Sequence, residues 1–243
     1  MFIHGAERLV RMTSAMHDLA RDARAHRASG MAGSGSKTAS CAGKPLHCAL
    51  LFPQSILHMA LKATVVKAEL QLSDLDRHHY ATYPLTVAQH PSETDQRLMV
   101  RLVAFALFAS ERLEFGKGLS TEEEPDLWRR DYTGDIEQWI DLGQPDESRV
   151  RKACGRARQV IVVNYGGRIA DLWWDKNSAA LARLDNVTVI DLDTSAVDAL
   201  AAAVERSMRF NALIQDGELQ LMGNAGTVVV HVRTRHASAT QAR

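Results

Sequence analysis

Residues 124–143, EPDLWRRDYTGDIEQWIDLG, place turn-forming residues between two segments in which polar and apolar side chains alternate. This pattern predicts an antiparallel hairpin with Thr133 and Gly134 in its loop. With a two-residue loop there, or a symmetric four-residue loop, the numbers of paired residues add up to 267. Asp126 then lies opposite Asp141, with about 4.5 to 5.5 Å between the Cβ atoms.

Two carboxylates at that separation repel each other unless a positive group lies between them. A divalent ion such as Mg²⁺ suits an oxygen-rich pair of this kind, and it would activate water and stabilise a phosphoryl transition state. The alternative is structural, with one acid facing solvent or paired with Arg129 or Arg130. Spacing alone leaves both interpretations open.

A basic segment follows the hairpin and is predicted to be helical. Pro145 suits the first helical position, and acidic residues follow it in the first turn. On a helical wheel Val150, Ala153, Cys154 and Ala157 form the packing face, which leaves a set of cations on the other sides: Arg149, Arg151, Lys152, Arg156 and Arg158. These cations form either a solvated basic face or a source of positive charge for a scissile phosphate.

The rest of the chain predicts an α/β (α+β) fold with a mixed sheet flanked by helices. Alternating residues at 61–74 and 79–89 predict an N-terminal β-hairpin, and the Asp-Gly pair at 216–217 predicts a C-terminal one. A long helix is predicted over residues 92–110, with Ser92 as its N-cap. The sequence NYGG at 164–167 follows a strand but lacks the wider glycine pattern of a nucleotide-binding loop.

Composition separates the first 58 residues from the remainder. Residues 1–58 carry seven Lys/Arg and three Asp/Glu, which leaves 22 basic and 26 acidic residues in 59–243, a net charge of −4. We expect 1–58 to be a disordered or non-native extension, because a Gly/Ala/Ser-rich stretch follows its one candidate helix. The acidic remainder argues against a protein that binds nucleic acid mainly by neutralising phosphates.

Localisation and redox state follow from the same composition. We expect a cytoplasmic protein without membrane contact, because no apolar run reaches about 18 residues. Cys41, Cys48 and Cys154 show no paired spacing and are expected to be reduced.

Several long segments resemble the YaeQ family of bacterial proteins. They are MALKATVVKAELQLSDLDRHHY, HPSETDQRLMVRLVAFAL, ERLEFGKGLSTEEEPDLW, GDIEQWIDLGQPD and RVRKACGRARQVIVVNYGGR, and the resemblance covers residues 59–232 in order. It implies one domain over 59–243 with a variant of the PD-(D/E)XK restriction-endonuclease-like fold. The match begins at Met59, as expected if an upstream start codon was misassigned.

The resemblance also implies a site. Asp126 and Asp141 correspond to the two motif acids and would bind Mg²⁺ or Mn²⁺, with Glu93 or Glu111 as the helix glutamate. Gly143 stands at the motif lysine position. The missing cation is therefore expected from Lys152, Arg149 or Arg156, with Gln144 as a further polar contact.

Two functions follow from this resemblance. The first is a divalent-metal-dependent nuclease acting on nucleic acid through Asp126 and Asp141. The alternative is a catalytically silent nuclease-fold module that binds a nucleic acid or protein partner, with a transcription-related role. The absence of the motif lysine favours the alternative, since lysine helps to deprotonate the attacking water.

Overall fold

The structure is a computed structural model that describes residues 63–117 and 123–238. The extension expected at 1–58, together with Cys41 and Cys48, lies outside the described residues. The described elements, in chain order, are β1 (Thr64–Asp74), β2 (His79–Gln89), α1 (Asp95–Phe108), β3 (Leu113–Phe115), β4 (Leu127–Arg130), β5 (Ile136–Leu142), α2 (Glu147–Cys154), β6 (Ala157–Asn164), α3 (Arg168–Leu181), β7 (Val187–Leu192), α4 (Thr194–Ala202), β8 (Ser207–Gln215), β9 (Glu218–Gly223) and β10 (Gly226–His236).

The strands form one mixed sheet of ten, in the order β2-β1-β8-β9-β10-β7-β6-β5-β4-β3. Strands β5, β6 and β7 are parallel neighbours, and β1 is parallel to β8. The other neighbouring pairs are antiparallel. The α+β class with a mixed sheet, predicted from the alternating strand and helix patterns, is thus confirmed.

Both terminal hairpins occur where the sequence predicted them. Strands β1 and β2 pair along their full lengths, and the apolar positions of β1 from Val66 to Leu72 are buried. Asp216 and Gly217 connect β8 to β9 with φ of 54° and 75°. Two consecutive positive φ angles are what a tight hairpin turn of this hand requires, and Asp-Gly adopts them at low cost.

Alternate residues of the parallel strands contribute to two hydrophobic clusters on opposite faces of the sheet. Ile161 and Val163 pack with α1 and α4 in the larger cluster. Val160 and Val162 pack with α2 and α3 in the smaller cluster. Strand β6 is therefore covered on both faces, which explains its continuous apolar run at residues 160–163.

Three predicted boundaries were wrong. The N-cap of α1 is Thr94 rather than Ser92, because the Thr94 side chain accepts a hydrogen bond from the Arg97 N–H. The helix α2 ends at Cys154, so Ala157 packs from strand β6 instead. The β4–β5 loop is neither of the two symmetric forms, because the pairing shifts between Arg129 and Arg130.

Within the described part of the chain, no helix is both long and apolar enough to cross a membrane.

Candidate functional site

The β4–β5 pairing brings Asp126 and Asp141 together. Leu127 pairs with Ile140, so the predicted sum of 267 holds at this end of the hairpin despite the shift near the loop. The Asp126 N–H donates to the Ile140 carbonyl at 3.1 Å, and the Leu142 N–H donates to Asp126 Oδ2 at 2.8 Å. The two carboxylates lie at the carboxyl end of β5, where a parallel sheet commonly presents its functional groups.

Arg149, from the first turns of α2, contacts Asp141. Its Nη2 and Nε donate to Asp141 Oδ1 and Oδ2 at 2.8 and 3.0 Å, which is a bidentate contact. Nη2 also donates to the Glu124 carbonyl at 2.8 Å. Arg149 was among the predicted cations, and it approaches from the face covered by the smaller cluster.

Arg97 approaches the same strand ends from α1, on the opposite face. Its Nη2 donates to Asp126 Oδ1 at 2.5 Å, and its Nη1 donates to the Leu142 carbonyl at 3.3 Å. A Cβ atom built on Gly143, which has a φ of +83°, would lie 4.0 Å from Arg97 Nη1 and 3.6 Å from the Tyr165 ring. The guanidinium of Arg97 therefore lies beside the position at which the motif lysine was expected.

A second, deeper ion pair adjoins Arg97. Arg101 Nη1 donates to both carboxylate oxygens of Glu93 at 3.2 Å, and both side chains are nearly inaccessible. Electrostatic coupling links Glu93 to Arg97 and Arg101 to Asp126. We call this set the acid–arginine cluster; its members are Glu93, Arg97, Arg101, Asp126, Asp141 and Arg149.

Burial and charge set the protonation of the cluster. Desolvation raises the pKa of the Asp126 carboxyl, whereas Arg97 and the Leu142 N–H oppose that shift and the charge of Asp141 adds to it. Burial acts to lower the pKa of Arg97, but Asp126 and Tyr165 raise it above its ordinary value. Arg149 behaves in the same way because of Asp141. Both arginines therefore remain charged and hold the acids in place.

Four predicted site residues lie elsewhere. The Gln144 side chain donates to Asn164 Oδ1 and to the Tyr165 carbonyl at 2.5 and 2.7 Å, so it joins two strand ends. Lys152 is exposed on α2, and Arg156 is exposed beyond the helix, 3.5 Å from the Glu123 carbonyl. Glu111 follows the far end of α1 and acts electrostatically on Tyr83. The structure does not bring these residues to the two aspartates.

The hairpin arginines do not pair with the two aspartates either. Arg129 Nε donates to Glu137 at 2.9 Å, and the Arg130 guanidinium lies 3.5 Å from the centre of the Trp128 ring. Each acid does meet an arginine, but one supplied by a helix rather than by the hairpin.

Sequence reasoning missed Arg97 and Tyr165 as site residues. Arg97 stands four residues after Glu93, a spacing typical of an ion pair within one helix, but Glu93 precedes the helix and pairs with Arg101 instead. The available signal was Gly143, because a missing side chain next to two acids leaves room for a cation from another element.

The oxygen atoms at this site are of the kind that binds a hard divalent cation. Two carboxylates and the Leu142 carbonyl supply oxygen atoms, and Mg²⁺ is often bound by one or two carboxylates with water and substrate phosphate. Over residues 63–117 and 123–238, no group of three or more His, Cys, Asp or Glu is placed to hold a metal. Glu93 does not supply a third carboxylate ligand, since its two oxygens accept from Arg101.

A family model described as YaeQ protein matches residues 59–232. The chain belongs to the YaeQ family. Residues 59–232 are also the range of the resemblance described above, and they contain the whole acid–arginine cluster.

Relatives in the YaeQ family are similar over 67% to 72% of this chain. The Escherichia coli K12 relative, described as uncharacterized protein YaeQ, is 41% identical over 175 residues, which are 72% of this chain and 96% of the relative. The Salmonella typhi relative, with the same description, is 44% identical over 164 residues, 67% of this chain and 90% of the relative.

Two solved YaeQ structures have the same fold. The crystal structure of the YaeQ protein from Xanthomonas axonopodis pv. citri is 60% identical, with a TM-score of 0.70, covering 72% of this chain and 99% of that one. The Pseudomonas syringae structure is 32% identical with a TM-score of 0.70, covering 72% and 97%.

Proposed function

We propose that the protein hydrolyses phosphodiester bonds in nucleic acid with Mg²⁺ or Mn²⁺ held between Asp126 and Asp141. The observation that supports this proposal is the meeting of two opposed carboxylates, one backbone carbonyl and two guanidinium groups at the end of β5. The proposal includes the superfamily assignment implied by the sequence, a variant of the PD-(D/E)XK fold.

The cluster supplies the groups that such a reaction requires. Asp126, Asp141 and the Leu142 carbonyl would hold the ion, which lowers the pKa of bound water and offsets the developing negative charge. Arg97 already donates a hydrogen bond to Asp126, and Arg149 to Asp141. Once an ion neutralises the acids, the guanidinium groups can donate to the non-bridging oxygens of a phosphate, a contact that arginine makes well.

Arg97 takes the role expected of the motif lysine in this account. It lies beside Gly143 and carries a permanent charge, and Tyr165 is among the groups that raise its pKa. A guanidinium does not lose its proton in proteins, so Arg97 can orient the attacking water and stabilise charge but cannot act as the base. Slow turnover relative to lysine-containing nucleases follows from that difference.

The second candidate function is a catalytically silent module that binds a nucleic acid or protein partner. The observation that favours it is the pairing within the cluster, where three acids meet three arginines and each oxygen of Asp126 and Asp141 accepts a hydrogen bond. A divalent ion must displace these contacts, and breaking buried ion pairs is costly.

A cleavage assay separates the two candidates. We expect the full chain to cleave labelled single-stranded DNA, duplex DNA or RNA when Mg²⁺ or Mn²⁺ is added. Asp126→Asn and Asp141→Asn should each lower the rate at least about a hundredfold, because each removes a charged ligand. Asp135→Asn is the matched control, since Asp135 lies exposed in the same hairpin.

Two results of the cleavage assay would overturn the proposal. Cleavage that persists in both cluster variants would come from another site or a contaminant. No cleavage of any of the three substrates by the unmodified chain would leave the silent module as the function.

A further inference from the structure

A second crevice lies at the carboxyl ends of β6 and β7, on the far side of Tyr165 from the acid pair. The helix α3 follows β6 and packs into the smaller cluster, whereas α4 follows β7 and packs into the larger one. The chain therefore leaves two neighbouring parallel strands toward opposite faces. Ligands of open α/β sheets bind at such switch points, outside the carboxyl ends of the strands.

The crevice has a volume of about 330 Å³, which is within the size range of small-molecule sites. We call it the switch-point crevice. The lining residues on which the argument depends are Gly167, Asp171, Asp191, Thr194, Arg233 and Arg235.

One wall of the crevice is suited to a phosphate group. Gly166 and Gly167 lead into α3 with φ of 98° and 57°, and a Cβ on Gly167 would lie 3.0 Å from Thr194 Oγ1, so only glycine fits this turn without strain. No side chain in the described part of the chain caps the 14-residue helix α3. The Ile169 N–H donates to the Gly166 carbonyl, whereas the Arg168 and Ala170 N–H groups have no acceptor among the described residues. These two N–H groups and the positive end of the helix dipole are thus available to an anion.

The cations next to this wall lie on β10. Arg233 is exposed, and its backbone lies opposite Asp191 in the β10–β7 register. Arg235 is mostly covered and donates to both Asp191 and Asp171. Arg233 therefore offers a guanidinium to a phosphate at the mouth of the crevice, and Arg235 lies deeper.

The floor of the crevice holds an acceptor that lacks a donor. Asp191 is only 9% exposed, and its Oδ2 accepts from Arg235. Its Oδ1 is fully buried and has no hydrogen-bond partner among the described residues. Buried acceptors are nearly always satisfied in folded proteins, so Oδ1 can accept one further hydrogen bond, and a hydroxyl group is a suitable donor for it.

We propose that the switch-point crevice binds a ribose phosphate ester, with a nucleoside monophosphate as the representative ligand. The phosphate lies at the N-terminus of α3 beside Arg233, and a ribose hydroxyl donates to Asp191 Oδ1. Arg235 covers Asp191 and turns toward the phosphate to admit the hydroxyl. An acid at the end of the next parallel strand is the usual partner of ribose hydroxyls in nucleotide-binding βαβ units. This site is separate from the acid pair and does not depend on cleavage there.

Calorimetric titration of the full chain with AMP, ribose 5-phosphate, inorganic phosphate and ribose tests the proposal. We expect AMP and ribose 5-phosphate to bind at least about tenfold more tightly than inorganic phosphate, because only the esters also reach Asp191. Amide chemical shifts of Gly166, Gly167 and Arg168 should move on binding. Arg233→Gln should weaken both esters about tenfold or more, while Arg183→Gln, at an exposed turn position just after α3, should not.

Three outcomes would overturn the inference. One is the absence of binding by either ester. Another is equal weakening by Arg233→Gln and Arg183→Gln, which would indicate general attraction of anions. The third is equal affinity for inorganic phosphate and the esters, which would remove the ribose contact. Arg233 is exposed, so its variant should fold and keep the test decisive.

Discussion

At the scale of single residues, the acid–arginine cluster depends on its most deeply buried pair. Glu93 and Arg101 expose only 2% and 4% of their side chains, and Arg101 Nη1 also donates to the Ala88 carbonyl. Removing two charges from water costs free energy that their attraction only partly returns. The pair thus makes each partner strongly dependent on the other, whatever its net contribution to stability.

Removing one charge of this pair should be costly. We expect Glu93→Gln to lower the free energy of unfolding by about 3 to 5 kcal/mol, because Arg101 would keep its charge without a counter-charge. Urea denaturation measures the difference. Glu147→Gln is the control, since the Glu147–Arg151 pair is exposed and should contribute less than about 1 kcal/mol. Equal losses in the two variants would contradict the burial argument.

At the scale of elements, the first turn of α1 sets the position of Arg97. Thr94 has an extended backbone, and its Oγ1 accepts from the Arg97 N–H at 3.2 Å. Arg97 lies in the first turn of the helix, and its side chain reaches Asp126 and the Leu142 carbonyl together. A shift in the start of the helix would move both contacts.

The cap can be tested by two substitutions at one position. Thr94→Ala should lower the free energy of unfolding by about 1 kcal/mol, because the first turn loses a side-chain acceptor. Thr94→Ser keeps the hydroxyl and should retain most of the stability. Thermal and urea unfolding of both variants provide the measurement, and a serine variant as unstable as the alanine one would rule out the capping explanation.

The elements also show how far sequence patterns reach. Period-2 alternation predicted the terminal hairpins and the facing of Asp126 and Asp141, because strand pairing is set by local residues and turn chemistry. The change in pairing register between Arg129 and Arg130 was not predictable. Strand β4 has only four residues, too few for a bulge to show in the alternation of polar and apolar side chains. The Arg97–Asp126 contact spans 29 residues and two elements, so only the packing of α1 on the sheet could reveal it.

At the scale of the molecule, the sheet brings side chains from both of its faces to the carboxyl ends of its parallel strands. Arg97 comes from the helix on one face and Arg149 from the helix on the other, and β5 presents the acids between them. The carboxyl ends of β6 and β7 lie next to that of β5, and the switch-point crevice is located there. Residues 59–243 carry a net charge of −4, so any nucleic acid must be held by local arginines rather than by an overall positive field.

The proposed function requires Asp126 and Asp141 to bind a divalent ion despite their arginine partners. Calorimetric titration of metal-free protein with Mn²⁺ tests this directly, with Asp126→Asn, Asp141→Asn and the control Asp135→Asn. We predict one saturable site per chain, weakened at least about tenfold by each cluster substitution and unchanged by the control. The account is contradicted if Mn²⁺ shows no saturable binding, or if the affinity is unchanged when both aspartates are replaced.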